Sequence, residues 1–404
     1  MFLRVSTCFP PRVTRNRFVV VFLTGVVLLN EWISYAFTAT NWPIISNDSE
    51  DSVRVLIAAD PQILSIQSEP FFPSSILTTW DANRFISRGF HLALWKTKPD
   101  IVVFLGDLLN DGSVASDADF NSLVQDFRSL MYIPNYVKHT IYVPGDNDIG
   151  GEGSDRVTPN KIQRFYSIFN QSTTLQYKFI DFIQVQVMDD VDIKTTTVPH
   201  KDGRLRVLLS HIPLLPITRT KAKEDCHICS YAPCWIVCVS HNRVDQLGYA
   251  PQDLKVLQQH PSFIFSGHEH ESFHFAGTKD KAQAQEFRVL KEERKIWDFD
   301  ASKDRLHEVT VPTCSYRMGK QQYGYGTAVI EKSGLVHYTV LWLPSRFTQL
   351  WLYLISLGIV FLIFLPFLLR VVKNQLVNLC HICGFTLGFG PKYHRVTSSY
   401  LGFP

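Results

Sequence analysis

Hydrophobic and polar positions along the chain follow two distinct patterns. Two stretches, Phe18 to Phe37 near the start and Leu350 to Leu369 near the end, are apolar for the length of a bilayer-spanning helix. Between them, short apolar runs alternate with segments of helical period. Val53 to Ala59 is apolar except for Arg54 and ends at Asp60-Pro61, as a buried strand would. Trp80 to Trp95 sets Phe85, Leu92 and Trp95 at helical spacing, and Ile101 to Leu105 is a second buried strand ending at Gly106-Asp107. Phe120 to Met131 suits a second helix, and Thr140 to Val143 a third strand that runs into Pro144-Gly145-Asp146-Asn147-Asp148. This β-α-β-α-β run predicts an α/β domain. Further strands are expected at Val185 to Met188, Arg206 to Leu209, Phe263 to Phe265, Thr327 to Ile330 and Val336 to Leu341, while the charged stretch Lys279 to Arg305 reads as an exposed insertion. No repeat and no Pro/Gly/Ser-rich linker divides residues 38–346, so one domain is expected there.

Charge changes this picture mainly at the apolar stretches. The net charge is +3 over 404 residues, with no basic run or aromatic-basic repeat, so no nucleic-acid partner is expected. Arg4, Arg12, Arg15 and Arg17 precede the first apolar stretch, and Arg370 and Lys373 follow the second. The positive-inside bias then puts residues 1–17 and the tail 370–404 in the cytosol, with transmembrane helices at 18–37 and 350–369 and the domain between them in a lumen. The competing reading of the first stretch is a cleaved signal peptide, because Asn30 and Glu31 interrupt it and Ser34-Tyr35-Ala36 could pass as a cleavage site. Its length favours a retained anchor.

Two sequons, Asn47-Asp48-Ser49 and Asn170-Gln171-Ser172, fall in the luminal part as that topology requires. Cys226, Cys229, Cys234 and Cys238 cluster in a loop-like stretch, where a lumen favours disulfides over a zinc knuckle. Cys314 stands alone, and Cys380-His381-Ile382-Cys383 beside the second apolar stretch could bind zinc or carry a lipid, though such pairs more often do neither.

Candidate chemistry gathers at the strand ends. Asp60-Pro61-Gln62, Gly106-Asp107, Gly145-Asp146-Asn147-Asp148, Ser210-His211 and Gly267-His268-Glu269-His270 each follow a short apolar strand, and in an α/β sheet the carboxyl ends of strands converge on one crevice. Taken singly, Asp107 could be a turn carboxylate, His211 a satisfied core histidine and Asp146 to Asp148 a helix cap. As a set, Asp60, Asp107, Asp146, His211, His268 and His270 offer three carboxylates and three imidazoles, enough for two divalent ions with one carboxylate bridging.

In that order the blocks resemble the calcineurin-like metallophosphoesterases, whose pattern is Asp-x-His, Gly-Asp, Gly-Asn-His-Asp/Glu, His and Gly-His-x-His; the resemblance covers about Val53 to Leu341. The flanking apolar stretches, Asn41-Trp42-Pro43 and the "DNDIG" form of the third block make the chain most similar, within that superfamily, to the membrane-bound ethanolamine phosphodiesterases that trim glycosylphosphatidylinositol (GPI) anchors. This resemblance implies a sandwich of two central β-sheets flanked by helices and two divalent ions. It further implies removal of ethanolamine phosphate from GPI-anchored proteins in the endoplasmic reticulum or Golgi, in support of their transport. By the same resemblance Asp60 and His270 bind one ion, Asp107 bridges, and Asp146, His211 and His268 bind the other.

Three positions depart from the family pattern. Gln62 stands where a ligand His is usual and can serve as a weak oxygen ligand; Asp146 stands where the family has a ligand Asn. The shift from nitrogen towards oxygen favours manganese over zinc. Asn147 stands where a His assists the leaving group, and an amide cannot donate a proton at neutral pH as an imidazolium can. General acid help is often worth about a hundredfold to ten-thousandfold. Asn147 therefore leaves an alternative to the GPI-directed hydrolase, a non-catalytic luminal receptor that grips phosphorylated GPI glycans, and the lack of a visible specificity residue leaves another, a hydrolase of a different luminal phosphodiester.

Overall fold

The computed structural model describes residues 12–46, 51–65, 73–185, 188, 203–215, 259–279 and 284–382. The chain divides into two compact units, Asn30–Arg346 and a unit made of Met1–Leu29 with Phe347–Pro404.

The larger unit begins in helix. After α1 (Arg12–Leu28), which belongs to the other unit, a π-helical turn at Leu29–Ile33 leads to α2 (Ser34–Asn41). Next come β1 (Val53–Ala58), α3 (Ser74–Thr97), β2 (Ile101–Leu105), α4 (Asp117–Leu130), β3 (His139–Val143), α5 (Asp146–Ile149) and α6 (Pro159–Ile168). β4 (Thr174–Tyr177), β5 (Ile180–Gln184), β6 (Leu205–Ser210), β7 (Phe263–Ser266), β8 (Phe273–Thr278), β9 (Ala284–Val289), β10 (Trp297–Asp300) and β11 (Arg305–Thr310) follow. A 3₁₀ turn at Tyr316–Met318 precedes β12 (Gly324–Ile330) and β13 (Leu335–Trp342), and α7 (Arg346–Ile382) leaves the domain.

The strands form two mixed sheets, as the sandwich expectation requires. One has the order β10-β13-β12-β1-β2-β3 and the other β4-β5-β6-β7-β11-β8-β9. Strands β1, β2 and β3 run parallel, as do β5, β6, β7 and β11. Apolar residues in the parallel strands are buried on both faces. Val53, Val55 and Ile57 of β1 join Val207, Leu209, Phe263 and Phe265 in the core between the sheets. Leu56 and Ala58 point the other way, into a helical layer with Phe85 and Phe90 of α3 and Phe120 and Phe127 of α4. Arg54, the one charge in β1, reaches Asp100 at 3.7 Å and stays partly exposed.

Where the apolar runs are continuous, the expected elements are present. The sequence is less legible at the sheet edges. The stretch Lys279 to Arg305 is not an insertion outside the sheets: it supplies β9 at the edge of the seven-stranded sheet and β10 at the edge of the six-stranded one. Its charges are those of edge strands, where outward side chains face water and discourage pairing with other chains. Similarly, the strand expected at Val185 to Met188 lies partly outside the described residues, and the described strand just before it, Ile180–Gln184, buries Asp181 and Gln184.

The first apolar stretch is shared between the two units. Tyr35, Ala39 and Trp42 are buried in the core beneath α3, and the Trp42 indole donates to the Trp342 carbonyl at 2.7 Å. Glu31 is buried and meets Arg84, Arg88 and Arg346, the last at 3.2 Å, while Asp81 holds Arg84 and Arg346. The residues at which the chain enters and leaves the domain are thus ion-paired to each other. In the smaller unit, Arg15 lies over the rings of Phe364 and Phe367. Two helical stretches, Thr14–Asn41 and Arg346–Leu379, are long and apolar enough to cross a membrane.

Candidate metal centre

The parallel strands carry the candidate residues to one rim. Asp60 follows β1, Asp107 follows β2, Asp146 opens α5 after β3, His211 follows β6, and His268 and His270 follow β7. The backbone there is strained in a consistent way. Among the described residues nine that are not glycine have positive φ, and five of them are Asp60 (50°), Gln62 (43°), Asp107 (51°), His268 (67°) and His270 (60°). Each such conformation costs on the order of 1–3 kcal/mol and persists where the surroundings enforce it, typically at functional sites. Two glycines let the loops close. A methyl group on Gly106 (φ 82°) would collide with the His211 ring, and one on Gly145 with the backbone nitrogen of Asp107.

These loops bring the six charged candidates into two groups, Asp60 with Asp107 and His270, and Asp146 with His211 and His268; in each, one ligand atom per residue lies within 4.8 Å of the others. His211 links the groups. Its Nε2 is 2.8 Å from Asp146 Oδ1 and 3.4 Å from Asp107 Oδ1. Its Nδ1 is 2.8 Å from the Leu105 carbonyl, which accepts the Nδ1 proton and leaves Nε2 turned to the carboxylates. His268 Nδ1 lies 3.3 Å from Asp146, and His270 Nε2 lies 3.7 Å from Asp60. The backbone N–H of His268 donates to Asp60, and the Thr313 hydroxyl fixes the Asp60 carbonyl at 2.9 Å.

The electrostatics of this cluster fit divalent cations. Burial, reinforced by Asp107, pushes the Asp60 carboxyl up to about 8, although His211 opposes the rise. Burial and Asp146 raise Asp107 in the same direction. Asp146, also buried, is instead held low by hydrogen bonds from His211 and His268. Burial disfavours the imidazolium of His211, but Asp107 and Asp146 outweigh it and raise its pKa; His268 rises to about 8 on its hydrogen bond with Asp146. His270 falls to about 3 through burial and the nearby His268. Three buried carboxylates repelling one another are a set that a cation in each group would neutralise, and the oxygen and imidazole donors suit first-row divalent ions.

Gln62 and Asn147 take a shared place in this cluster. The amide nitrogens of both donate to the same oxygen of Asp107, Oδ2, at 3.0 Å and 2.8 Å, and the Asn147 backbone N–H donates to Oδ1 at 3.0 Å. Two further residues hold these loops: Asp148, which the sequence offered only within the third block and as part of a helix cap, and Glu308, which it did not single out. Asp148 is fully buried and accepts from the backbone N–H groups of Leu108 and Leu109, each at 3.1 Å, and of Gly145 at 2.8 Å, so it clamps the loop after Asp107 to its own. Glu308 on β11 does the same for the loop after His211, accepting from Leu214 at 2.8 Å and Leu215 at 2.7 Å. Burial raises both, each to about 7. The sequence signal for Glu308 is a single acid inside Leu306 to Val309, and for Asp148 its place in the third block.

Other candidates lie apart from this centre. The cysteine cluster 226–238 and the sequon at Asn47 fall outside the described residues, as does Cys383. Cys314 is a buried free thiol whose pKa burial raises, and Asn170 is exposed beyond the end of α6.

The calcineurin-like phosphoesterase family model matches residues 53–272. Metallophosphoesterase 1 of Pongo abelii is 25% identical over 171 residues, covering 40% of this chain and 41% of that protein. The Metallophosphoesterase 1 homolog of Drosophila melanogaster is 28% identical over 151 residues, 36% of this chain and 39% of that one. The chain thus spans about two fifths of the length of these curated relatives. Among solved structures, purple acid phosphatase PPD1 from yellow lupin seeds aligns with a TM-score of 0.42 at 12% identity, covering 74% of this chain and 52% of that chain. A dimetal phosphatase from Danio rerio aligns with a TM-score of 0.35 at 12% identity, covering 72% of this chain and 99% of that chain. With the family model matching more than half of its length, the chain belongs to the calcineurin-like phosphoesterases, a family of phosphoester hydrolases.

Proposed function

We propose that the chain is a membrane-anchored phosphodiesterase that removes ethanolamine phosphate from the anchor glycan of GPI-anchored proteins in the endoplasmic reticulum or Golgi, with its domain in the lumen. The observation that carries the hydrolase is the meeting of three buried carboxylates and three imidazoles from five strand ends on one rim. Asp60 and His270 would hold one divalent ion and Asp146, His211 and His268 the other, with Asp107 between them and Gln62 beside it; manganese suits the oxygen-rich set best. Bound there, the ions would activate water and stabilise charge on the phosphoryl oxygens. The chain's own work is positioning. Leu105 fixes the His211 tautomer, Asp148 and Glu308 hold the two ligand-bearing loops, and the Asn147 and Gln62 amides orient Asp107.

Anchoring at both ends is supported by the two apolar helical stretches and by Glu31. Cleavage after Ala36 would remove Glu31 and Tyr35, which pack within the domain, so retention of the first helix is the reading that keeps the fold whole. The GPI substrate rests on the sequence resemblance of the third block and of Asn41-Trp42-Pro43.

Metal content of the purified protein, paired with hydrolysis of an aryl phosphodiester in added manganese, tests the hydrolase. About two ions per chain and turnover are expected, whereas bound metal without turnover would favour a receptor for phosphorylated glycans. For topology, an endoglycosidase should shift the mobility of the full chain. A sequon introduced near Ser398 should stay bare, and its glycosylation would overturn the two-anchor arrangement.

A further inference from the structure

Away from the metal centre, α3 and α4 enclose a cavity of about 760 Å³. Its walls differ in charge. The α3 wall presents Trp80, Arg84 and Arg88, and the α4 wall presents Ser122, Asp126 and Ser129, spaced to share one helix face. The arginines are only partly neutralised. Among the described residues three arginines, Arg84, Arg88 and Arg346, share the two carboxylates Glu31 and Asp81. Arg88 meets Glu31 through Nη1 alone, by bonds of 2.7 and 2.5 Å, and the Nε of Arg84 is buried with no hydrogen-bond partner. Among the described residues Asp126 is paired with neither arginine. A cavity that keeps cations on one wall and an unpaired carboxylate on the other fits a ligand whose two charges are opposite and separated.

We propose that this cavity binds a phosphate–ammonium zwitterion of the ethanolamine phosphate or choline phosphate kind, its phosphate on Arg84 and Arg88 and its ammonium on Asp126. Two sources carry that group: a phospholipid headgroup and the ethanolamine phosphate of an anchor glycan. Proximity to lipid follows from the neighbours. Glu31, bound to both arginines, continues directly into the first apolar helix, and Trp32, Ile76, Leu77 and Trp80 expose 58%, 46%, 66% and 56% of their surfaces around this end of the domain. Such aromatic and aliphatic side chains suit the membrane–water interface. The inference rests on the membrane placement proposed above, but the binding chemistry is testable without a bilayer.

The full chain in detergent, loaded with manganese, is titrated calorimetrically with glycerophosphoethanolamine, with ethanolamine phosphate esterified to a mannoside, and with inorganic phosphate. Tighter binding of at least one zwitterion than of inorganic phosphate is expected, and which one binds tighter identifies the source. Asp126→Asn should weaken that zwitterion about fivefold, the size of an exposed ion pair, and leave inorganic phosphate unchanged. Arg88→Gln should weaken all ligands of the cavity, but it also breaks a contact with Glu31 and can disturb folding, so the exposed Asp126 variant decides. No preference for either zwitterion, or a preference that survives Asp126→Asn, would overturn the site. Metal content and aryl phosphodiester hydrolysis of the Asp126 variant should match the parent, which separates failure here from failure of the hydrolase reading.

Discussion

The two sheets contribute unlike halves to the candidate metal centre. The six-stranded sheet delivers carboxylates, Asp60, Asp107 and Asp146, from three adjacent parallel strands within one β-α-β-α-β run, and clamps its loops with Asp148 from the same block. The seven-stranded sheet delivers imidazoles, His211, His268 and His270, and clamps the His211 loop with Glu308, 94 residues further along the chain. One half is built locally and the other by long-range pairing. A buried acid accepting successive backbone N–H groups can thus hold a ligand loop whether it lies 40 residues away within the same β-α-β-α-β run or 94 residues away on another strand.

Asp107 belongs to both halves, since it groups with Asp60 and His270 and lies 3.4 Å from His211 Nε2. The largest effect is therefore expected from Asp107→Asn, which should lower metal content at both positions and cut phosphodiester turnover by more than about a hundredfold, the order expected when metal-assisted chemistry is lost. Asp117→Asn, at the exposed start of α4, should change neither. Equal metal content in the parent and the Asp107 variant, by elemental analysis, would break the two-ion centre.

The clamps sharpen the comparison. Asp148→Asn replaces an acceptor of three backbone N–H bonds by a group that carries its own donors, and Glu308→Gln does the same to an acceptor of two. Partners of this kind typically change metal affinity about 10–100-fold when altered. Asp148→Asn should be the costlier, in both affinity and stability, with each lost buried bond worth on the order of 1–3 kcal/mol. A larger loss from Glu308→Gln in manganese titrations would mean that the histidine half limits binding.

Asn147→His addresses the carboxylate half alone. The new imidazole could keep a donor on Asp107 Oδ2, where the amide now sits at 2.8 Å, and also offer a proton to the leaving oxygen. An alkyl ester has a poor leaving group and should be hydrolysed about tenfold faster, the lower part of the range for general acid help, whereas an aryl ester should change little. The same acceleration of both esters would show that position 147 does not serve the leaving group.

How legible each half was follows from the same contrast. The strand β2 is a continuous apolar run ended by Gly106-Asp107, and β1 is one but for Arg54, as buried parallel strands demand, while β3 at the sheet edge keeps only Ile141, Tyr142 and Val143 of that composition. In the seven-stranded sheet the signal is mixed. β11 buries His307, Glu308 and Thr310 beside only two apolar residues, β5 buries Asp181 and Gln184, and β9 carries Glu286 and Arg288 on an edge. Tertiary partners make those polar residues tolerable there, and no local pattern announces such partners. For the site, the motif blocks named the candidate ligands, but the amides of Gln62 and Asn147 meeting on one oxygen of Asp107 depend on loop closure that spacing alone does not encode.

The smallest effects should appear in the pH dependence of stability on β11, where adjacent residues pull in opposite directions. Burial raises Glu308 from 4.5 to about 7, against the hydrogen bonds from Leu214 and Leu215. A carboxyl raised in the fold keeps its proton longer there than in the unfolded chain, so its contribution is full below about 4.5 and is lost as pH rises through about 7. His274 and His307 meet at 3.0 Å and are lowered from 6.5 to about 3 and about 4, by burial first, then by each other's charge for His274 and by Arg305 for His307. Their contribution is full above 6.5 and is lost as pH falls towards those values. Between about 4.5 and 6.5 the slopes oppose, but two histidines outweigh one carboxyl, so the thermal midpoint of the parent should rise modestly with pH there. Glu308→Gln removes the falling limb, and its midpoint should rise with pH across that window by a few degrees relative to its own value at the acid end. His307→Phe leaves one histidine against one carboxyl, so its midpoint should be nearly flat between about 4.5 and 6.5 and decline only from about 6.5 to 7. Midpoints measured by calorimetry at fixed manganese would settle it, and parallel pH profiles for parent and Glu308→Gln would show that Glu308 keeps an ordinary carboxylate pKa in the fold.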